Sequence, residues 1–156
     1  MAAFSILEAT IDDLHGAYRS GSVTCREVVQ AYLDRIEKFD KHGPVINALI
    51  TVNSEALREA ERLDAAYKAS GPVGLLHGIP VIIKDQADVK GMPTTLGSLV
   101  FKNYYPDRDS FVAEKLRQAG AIILGKATLG ELGGGDTHGS LFGSTRMVLK
   151  VPAGVV

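Results

Sequence analysis

Two short apolar runs constrain this chain more than any other feature: "IPVIIK" at 79–84 and "AIILGKA" at 121–127. Each is too short for a helix and lacks the alternation of a half-wet strand, so each reads as a strand buried on both faces. Between them lie a Gly/Pro/Thr-rich loop, "DVKGMPTTLGS", and a helical segment, Phe111 to Ala119, capped by Asp109 or Ser110 and closed by Gly120. Strand, helix and strand with continuously apolar strands predict a parallel pair and an α/β class. Lys84 and Lys126 both stand at the C-terminal ends of these strands. Open α/β sheets place their sites at such ends.

Upstream, the spacing predicts helices. Thr10 with Asp13 starts one that Gly21 stops. "TCRE", Thr24 to Glu27, is a capping box before apolar residues at helical spacing, which predicts a helix over 25–40. "INALITV", 46–52, reads as a short strand or extended segment. A further helix starts near Asn53 or Ser54, with Ala56, Leu57, Ala60, Leu63 and Tyr67 as its apolar stripe. The pairs Glu59–Arg62 and Asp64–Lys68 are expected on its wet face. The chain thus divides into a helical start (about 5–70), a lysine-bearing βαβ part (about 74–146) and a tail, 147–156, without a closing element.

Composition narrows the function classes. With 46% hydrophobic and 22% charged residues a packed core is expected. A formal net charge of -1 and no basic patch give nucleic-acid binding no support. Cys25 is the only cysteine, which rules out a disulfide scaffold and cysteine-based zinc sites and favours a cytoplasmic location. No apolar run approaches the ~18 residues of a membrane span, and no secretory signal opens the chain.

Lys84 is the first candidate for chemistry. A lysine at the end of a buried strand can be desolvated to a neutral amine that acts as a base. It can equally pair with Asp85 or snorkel to water. "DTHGS", 136–140, gathers Asp, His and Ser, but triad members come from separate elements, so Asp136 and Ser140 are expected to make local turn hydrogen bonds. Gly133, Gly134 and Gly135 carry no phosphate-loop signature. His15, His42, His77 and His138 have no metal-like spacing, and His77 suits a turn. Neither a metal nor a cofactor is expected.

The residues also carry a resemblance. "GLLHGIPVIIKDQADVKGMPTTLGS" resembles the lysine-bearing motif of the amidase signature hydrolases: Leu76, His77, Gly78, Ile79, Pro80, Lys84, Asp85, Gly91, Pro93, Thr94, Thr95, Gly97 and Ser98 all fit. Gly120-Ala121, Gly125-Lys126 and Glu131 follow in register, and the likeness runs from about residue 10 to Arg146. It implies the N-terminal part of the amidase signature fold, an incomplete mixed sheet covered by helices. It also implies hydrolysis of amide, or sometimes ester, bonds by a Ser–cis-Ser–Lys triad with Lys84 as the base. Gly133, Gly134 and Gly135 would line the edge of the acyl pocket.

The resemblance stops short of both serines. "GSTR" usually runs into Asn-Pro and a Gly-Gly-Ser-Ser-Gly-Gly loop; here Arg146 is followed by Met147-Val148. The 156 residues match roughly the first third of such a domain. They are expected to be inactive alone and marginally stable, with an uncovered sheet edge open to association with itself or another chain. The alternatives to an amide hydrolase are a non-catalytic interaction or regulatory protein, or part of a glutaminase subunit of the amidotransferase type.

Overall fold

The computed structural model describes residues 4–147. Helix α1 (Ile11–Ser20) begins at a complete capping box. The Thr10 hydroxyl accepts from the Asp13 N–H at 3.1 Å, and the Asp13 carboxylate accepts from the Thr10 N–H at 2.9 Å. Helix α2 (Cys25–Arg35) repeats the device with Thr24 and Glu27. Each box satisfies donors that a helix start otherwise leaves orphaned. Beyond Arg35 the helix widens into a π-helical turn, Ile36–Lys41, closed by the His42 N–H on Glu37 O at 3.0 Å. The expected helix over 25–40 is therefore present with a wider last turn.

That turn carries Asp40 inward. Its carboxylate accepts from the N–H groups of Ala48 (2.6 Å) and Leu49 (3.4 Å) and pairs with Lys41 at 3.0 Å. The strand that follows, β1 (Leu49–Val52), is shorter than the expected 46–52. Val45 and Asn47 take φ of 52° and 55°, left-handed conformations that interrupt an extended run. Helix α3 (Ala56–Ser70) starts later than Asn53 because Asn53 is engaged elsewhere. Its amide donates to Ile123 O at 2.7 Å and its Oδ1 accepts from the Glu55 N–H at 2.9 Å.

Ala56, Ala60 and Leu63 are buried, as their spacing predicts. The surface pairs expected along α3 do not form. Glu59 takes Arg117 at 2.7 Å, and Asp64 accepts from the N–H groups of Cys25 (2.8 Å) and Arg26 (3.1 Å). The first turn of α2 offers unpaired N–H groups and the positive end of a helix dipole, a better partner than an exposed lysine.

Strand β2 (Pro80–Lys84), helix α4 (Phe111–Gln118) and strand β3 (Ile122–Ala127) complete the βαβ unit. Ser110 caps α4. The sheet order is β1-β3-β2, with β3 parallel to β2 and antiparallel to β1. Ile122 and Leu124 pack with α1, α2 and α3 residues such as Leu14, Val28 and Leu63. Ile123 packs the other way, with Ile83, Val89, Met92 and Ala113. Ile122 and Ile123 have no exposed surface, and each contributes ~1.5–3 kcal/mol by burial.

For β3 the expectation of burial on both faces is met. For β2 it is not. Ile83 faces the α4 side, but Ile82 is 51% exposed and Lys84 is exposed on the opposite face. The cause is position: among the described residues β2 is an edge strand, and the exposure of Ile82 and Lys84 shows that their ends of that face are left uncovered. The glycine-rich segment after Leu129 is largely loop, with a two-residue antiparallel ladder of β4 (His138–Gly139) and β5 (Gly143–Ser144). The expected tail, 147–156, lies outside the described residues apart from Met147.

Candidate functional site

Lys84 ends β2 on its open face. Its Nζ donates to Thr128 O at 2.5 Å, just past the end of β3. The parallel register sets Lys84 beside Ala127 and Ile83 beside Lys126. Side chains alternate along a strand, so Lys84 and Lys126 point to opposite faces. The two lysines therefore meet different fates.

The side chain of Lys126 is fully buried. Its ammonium donates to Pro93 O and Thr94 Oγ1, both at 3.1 Å, and lies 3.4 Å from Asp85 Oδ1. Burial lowers the Lys126 pKa from the ordinary lysine range, and the Asp85 carboxylate pulls the other way. Asp85 Oδ2 accepts from Thr95 Oγ1 (2.5 Å), the Thr95 N–H (3.1 Å) and the Gly97 N–H (3.4 Å). Pairing of Lys84 with Asp85, one of the two non-catalytic alternatives for that lysine, is thus excluded: Asp85 turns inward to Lys126. Sequence alone places Lys126 at a strand end and gives it no role. The signal is nonetheless present, since a lysine inside a continuously apolar strand must find a buried partner.

The loop from Pro93 to Leu99 is fastened on two sides. Asp85 and Lys126 hold its first half. Its second half meets the glycine-rich loop, where Leu132 N–H donates to Leu96 O at 2.8 Å, Leu141 N–H to Gly97 O at 3.2 Å and Leu99 N–H to Ser140 Oγ at 3.1 Å. Gly139 makes the approach possible, because a Cβ there would stand 2.4 Å from Gly97 O and 2.5 Å from the Phe142 ring. Hydrogen bonds from the Ser98 and Ser140 side chains lower the Glu131 carboxyl. Ser140 bonds Glu131 and Leu99, not a local turn; Asp136 does make the expected local bond, to the His138 N–H at 3.0 Å.

Gly133, Gly134 and Gly135 form an exposed turn. The N–H groups of Gly133 and Gly134 are taken by Gly130 O (2.8 Å) and Glu131 O (3.1 Å). Space is open around a Cβ at Gly133 and Gly135, both at positive φ.

His77 does more than occupy a turn. The ring is buried, accepts from the Val73 N–H through Nδ1 at 3.1 Å and faces Cys25 Sγ with Nε2 at 3.8 Å. Tyr18 donates to Gly78 O at 2.9 Å, and His15 Nε2 donates to His77 O at 3.1 Å. The Leu-His-Gly-Ile stretch that leads into β2 is therefore pinned to α1 and α2. Among the described residues no group of His, Cys, Asp and Glu gathers as metal ligands would. No helix among them is long and apolar enough to cross a membrane.

The sequence profile described as Amidase matches residues 27–149. The chain is 38% identical over 150 residues to a glutamyl-tRNA(Gln) amidotransferase subunit of Prochlorococcus marinus, covering 93% of this chain and 30% of that protein. It is 38% identical over 133 residues to the Arabidopsis thaliana protein named Probable amidase At4g34880, covering 83% of this chain and 25% of that one. In structure it is similar to the native peptide amidase of Stenotrophomonas maltophilia, with a TM-score of 0.85 at 35% identity over 89% of this chain and 30% of that one. The chain spans about three tenths of the length of the peptide amidase and of the amidotransferase protein.

Proposed function

The chain belongs to the amidase signature family, and from that premise we propose that it supplies the lysine of an amide hydrolase, with Lys84 as the general base. One observation supports this reading above the rest. Lys84 stands exposed at the C-terminal end of edge strand β2, held by a single carbonyl, while its neighbouring carboxylate is bound to another lysine. In the implied reaction an amine at this position takes a proton from a bridging serine. That serine takes one from the nucleophilic serine as it attacks the amide carbon; the relay then returns the proton to the departing nitrogen as the C–N bond breaks and the acyl-enzyme forms, and water, deprotonated by the same relay, releases the acid and restores the serine. The 156 residues contain neither serine motif, so turnover requires sequence beyond them. Gly133, Gly134 and Gly135 would edge the acyl pocket, and a carboxylic amide or ester is the substrate class.

The test is a chimera in which this chain replaces the matching three tenths of the Stenotrophomonas maltophilia peptide amidase. The chimera is expected to hydrolyse a peptide amide and to label with a fluorophosphonate, and Lys84→Ala to abolish both. A folded Lys84→Ala chimera with unchanged turnover would falsify the assignment. The glutamyl-tRNA(Gln) amidotransferase relatives favour a second reading, in which the chain is part of an amidotransferase of that kind and works with a partner protein. Association with itself or another chain through the β2 edge, where Ile82 is half exposed, belongs instead to the reading as a non-catalytic interaction or regulatory protein.

A further inference from the structure

We propose that Lys126 and Asp85 act as a positioning pair that clamps the end of β2 to the Pro93–Leu99 loop and so fixes where Lys84 presents its amine; this rests on the reading of Lys84 as the base. The hydrogen bonds around the pair define its geometry. The Thr94 hydroxyl gives its hydrogen to Ala87 O at 3.5 Å, so it can only accept from Lys126. Pro93 O has no hydrogen to give. Asp85 Oδ2 already accepts from Thr95 and Gly97, and Oδ1 has no hydrogen-bond donor, only the ammonium 3.4 Å away. Pro93 O, Thr94 Oγ1 and Asp85 Oδ1 thus surround Lys126 Nζ and fix where it sits.

The clamp reaches Lys84 through the backbone on both sides. Ile83 is beside Lys126 in the ladder, and Asp85 is the next residue after Lys84. The Asp85 N–H donates to Ala127 O at 3.0 Å, and Lys84 O accepts from the Ala87 N–H at 3.0 Å. With its backbone held fore and aft, Lys84 keeps its single side-chain bond to Thr128 O. A charged pair this dry contributes little net stability compared with an apolar pair of the same volume, whereas its directional bonds specify one arrangement.

The experiment reads Lys84 itself and needs no turnover. The chain is labelled with limiting acetic anhydride, and the modification of Lys84 is quantified by peptide mass spectrometry against exposed Lys68 and Lys102 in the same sample. Lys126→Met tests the clamp directly. Thr95→Val, which removes the hydroxyl bonded to Asp85, and Thr95→Ser, which keeps it, decide the matter if Lys126→Met does not fold. Loss of the hydroxyl's bond to Asp85, with the Gly97 N–H bond it also accepts, is expected to raise Lys84 labelling about two- to tenfold in Thr95→Val relative to the reference lysines, with Thr95→Ser at the parent value. Lys84 labelling unchanged while the melting temperature falls, or rising in step with Lys68 and Lys102, overturns the proposal. If the Lys84→Ala chimera stays active, the base assignment fails instead, whatever the labelling shows.

Discussion

Lys126→Met is the most informative single change to stability. Methionine matches the length of the lysine stem, so the site keeps its volume. What goes is the ammonium that meets Pro93 O, Thr94 Oγ1 and Asp85 Oδ1 in a fully buried site. Breaking a buried pair by removing one partner costs ~3–5 kcal/mol, because the other charge is left uncompensated. Against a total stability of ~5–15 kcal/mol this is a large fraction. With a urea slope of ~2 kcal/mol/M, the midpoint is expected to fall by about 2 M. Adding Asp85→Asn removes the stranded charge and is expected to return ~1 kcal/mol or more, a coupling that identifies the pair as the cause. The assay is urea titration followed by far-UV circular dichroism on the parent, both single variants and the double variant. A Lys126→Met shift of less than ~0.5 kcal/mol, or strictly additive single effects, would refute the reasoning.

Other outcomes follow from separate parts of the molecule. Burial, with Asp64 nearby, pushes the Cys25 thiol up to about 12, so iodoacetamide at pH 8 is expected to leave it unmodified in buffer and to alkylate it rapidly in urea; equal rates would contradict its placement. Hydrogen bonds from Thr10 and Thr24 lower the Asp13 and Glu27 carboxyls, so their stabilisation is present above the ordinary carboxylate range and is lost as pH falls through the lowered values. Thr24→Ala is expected to cost ~1 kcal/mol at neutral pH, and less once Glu27 is protonated, as measured by thermal melts across pH. Leu99, Val100, Tyr104, Tyr105 and Phe111 are all substantially exposed, so the isolated 156 residues are expected to self-associate with rising concentration. Sedimentation velocity showing a monomer across that range would oppose this.

Much of the fold was legible because local rules and the global arrangement agree. The capping boxes at Thr10 and Thr24, the stripe of α3 and the parallel β2–β3 pair appear as the spacing predicts. Several of the failures share one cause: partners far away in sequence outcompete near ones. Glu59 and Asp64 pass over neighbours on their own helix for Arg117 and the start of α2. Asp85 passes over Lys84 for Lys126. The apolar run 79–84 could not reveal that β2 is an edge strand in these residues, since burial depends on what packs above it. The lysine motif marked Lys84, but the roles of Lys126 and His77 needed the register and packing that bring them against Asp85 and Cys25.

The central place of β3 also sets an order of events. β1 has no partner in the sheet until β3 exists, and the two flanks of that contact, Ala48 and Thr128, are 80 residues apart in the chain. At a synthesis rate of ~5–20 residues per second, β1 waits about 4–16 s on the ribosome with its ladder groups unsatisfied. The segment before it is closed later still, when Arg146 N–H reaches Ile46 O. The N-terminal helices can form and pack as they emerge, whereas the sheet must wait for its middle strand, which is made last of the three. A nascent chain of this kind depends on holding an unpaired edge out of trouble until translation has passed the end of β3.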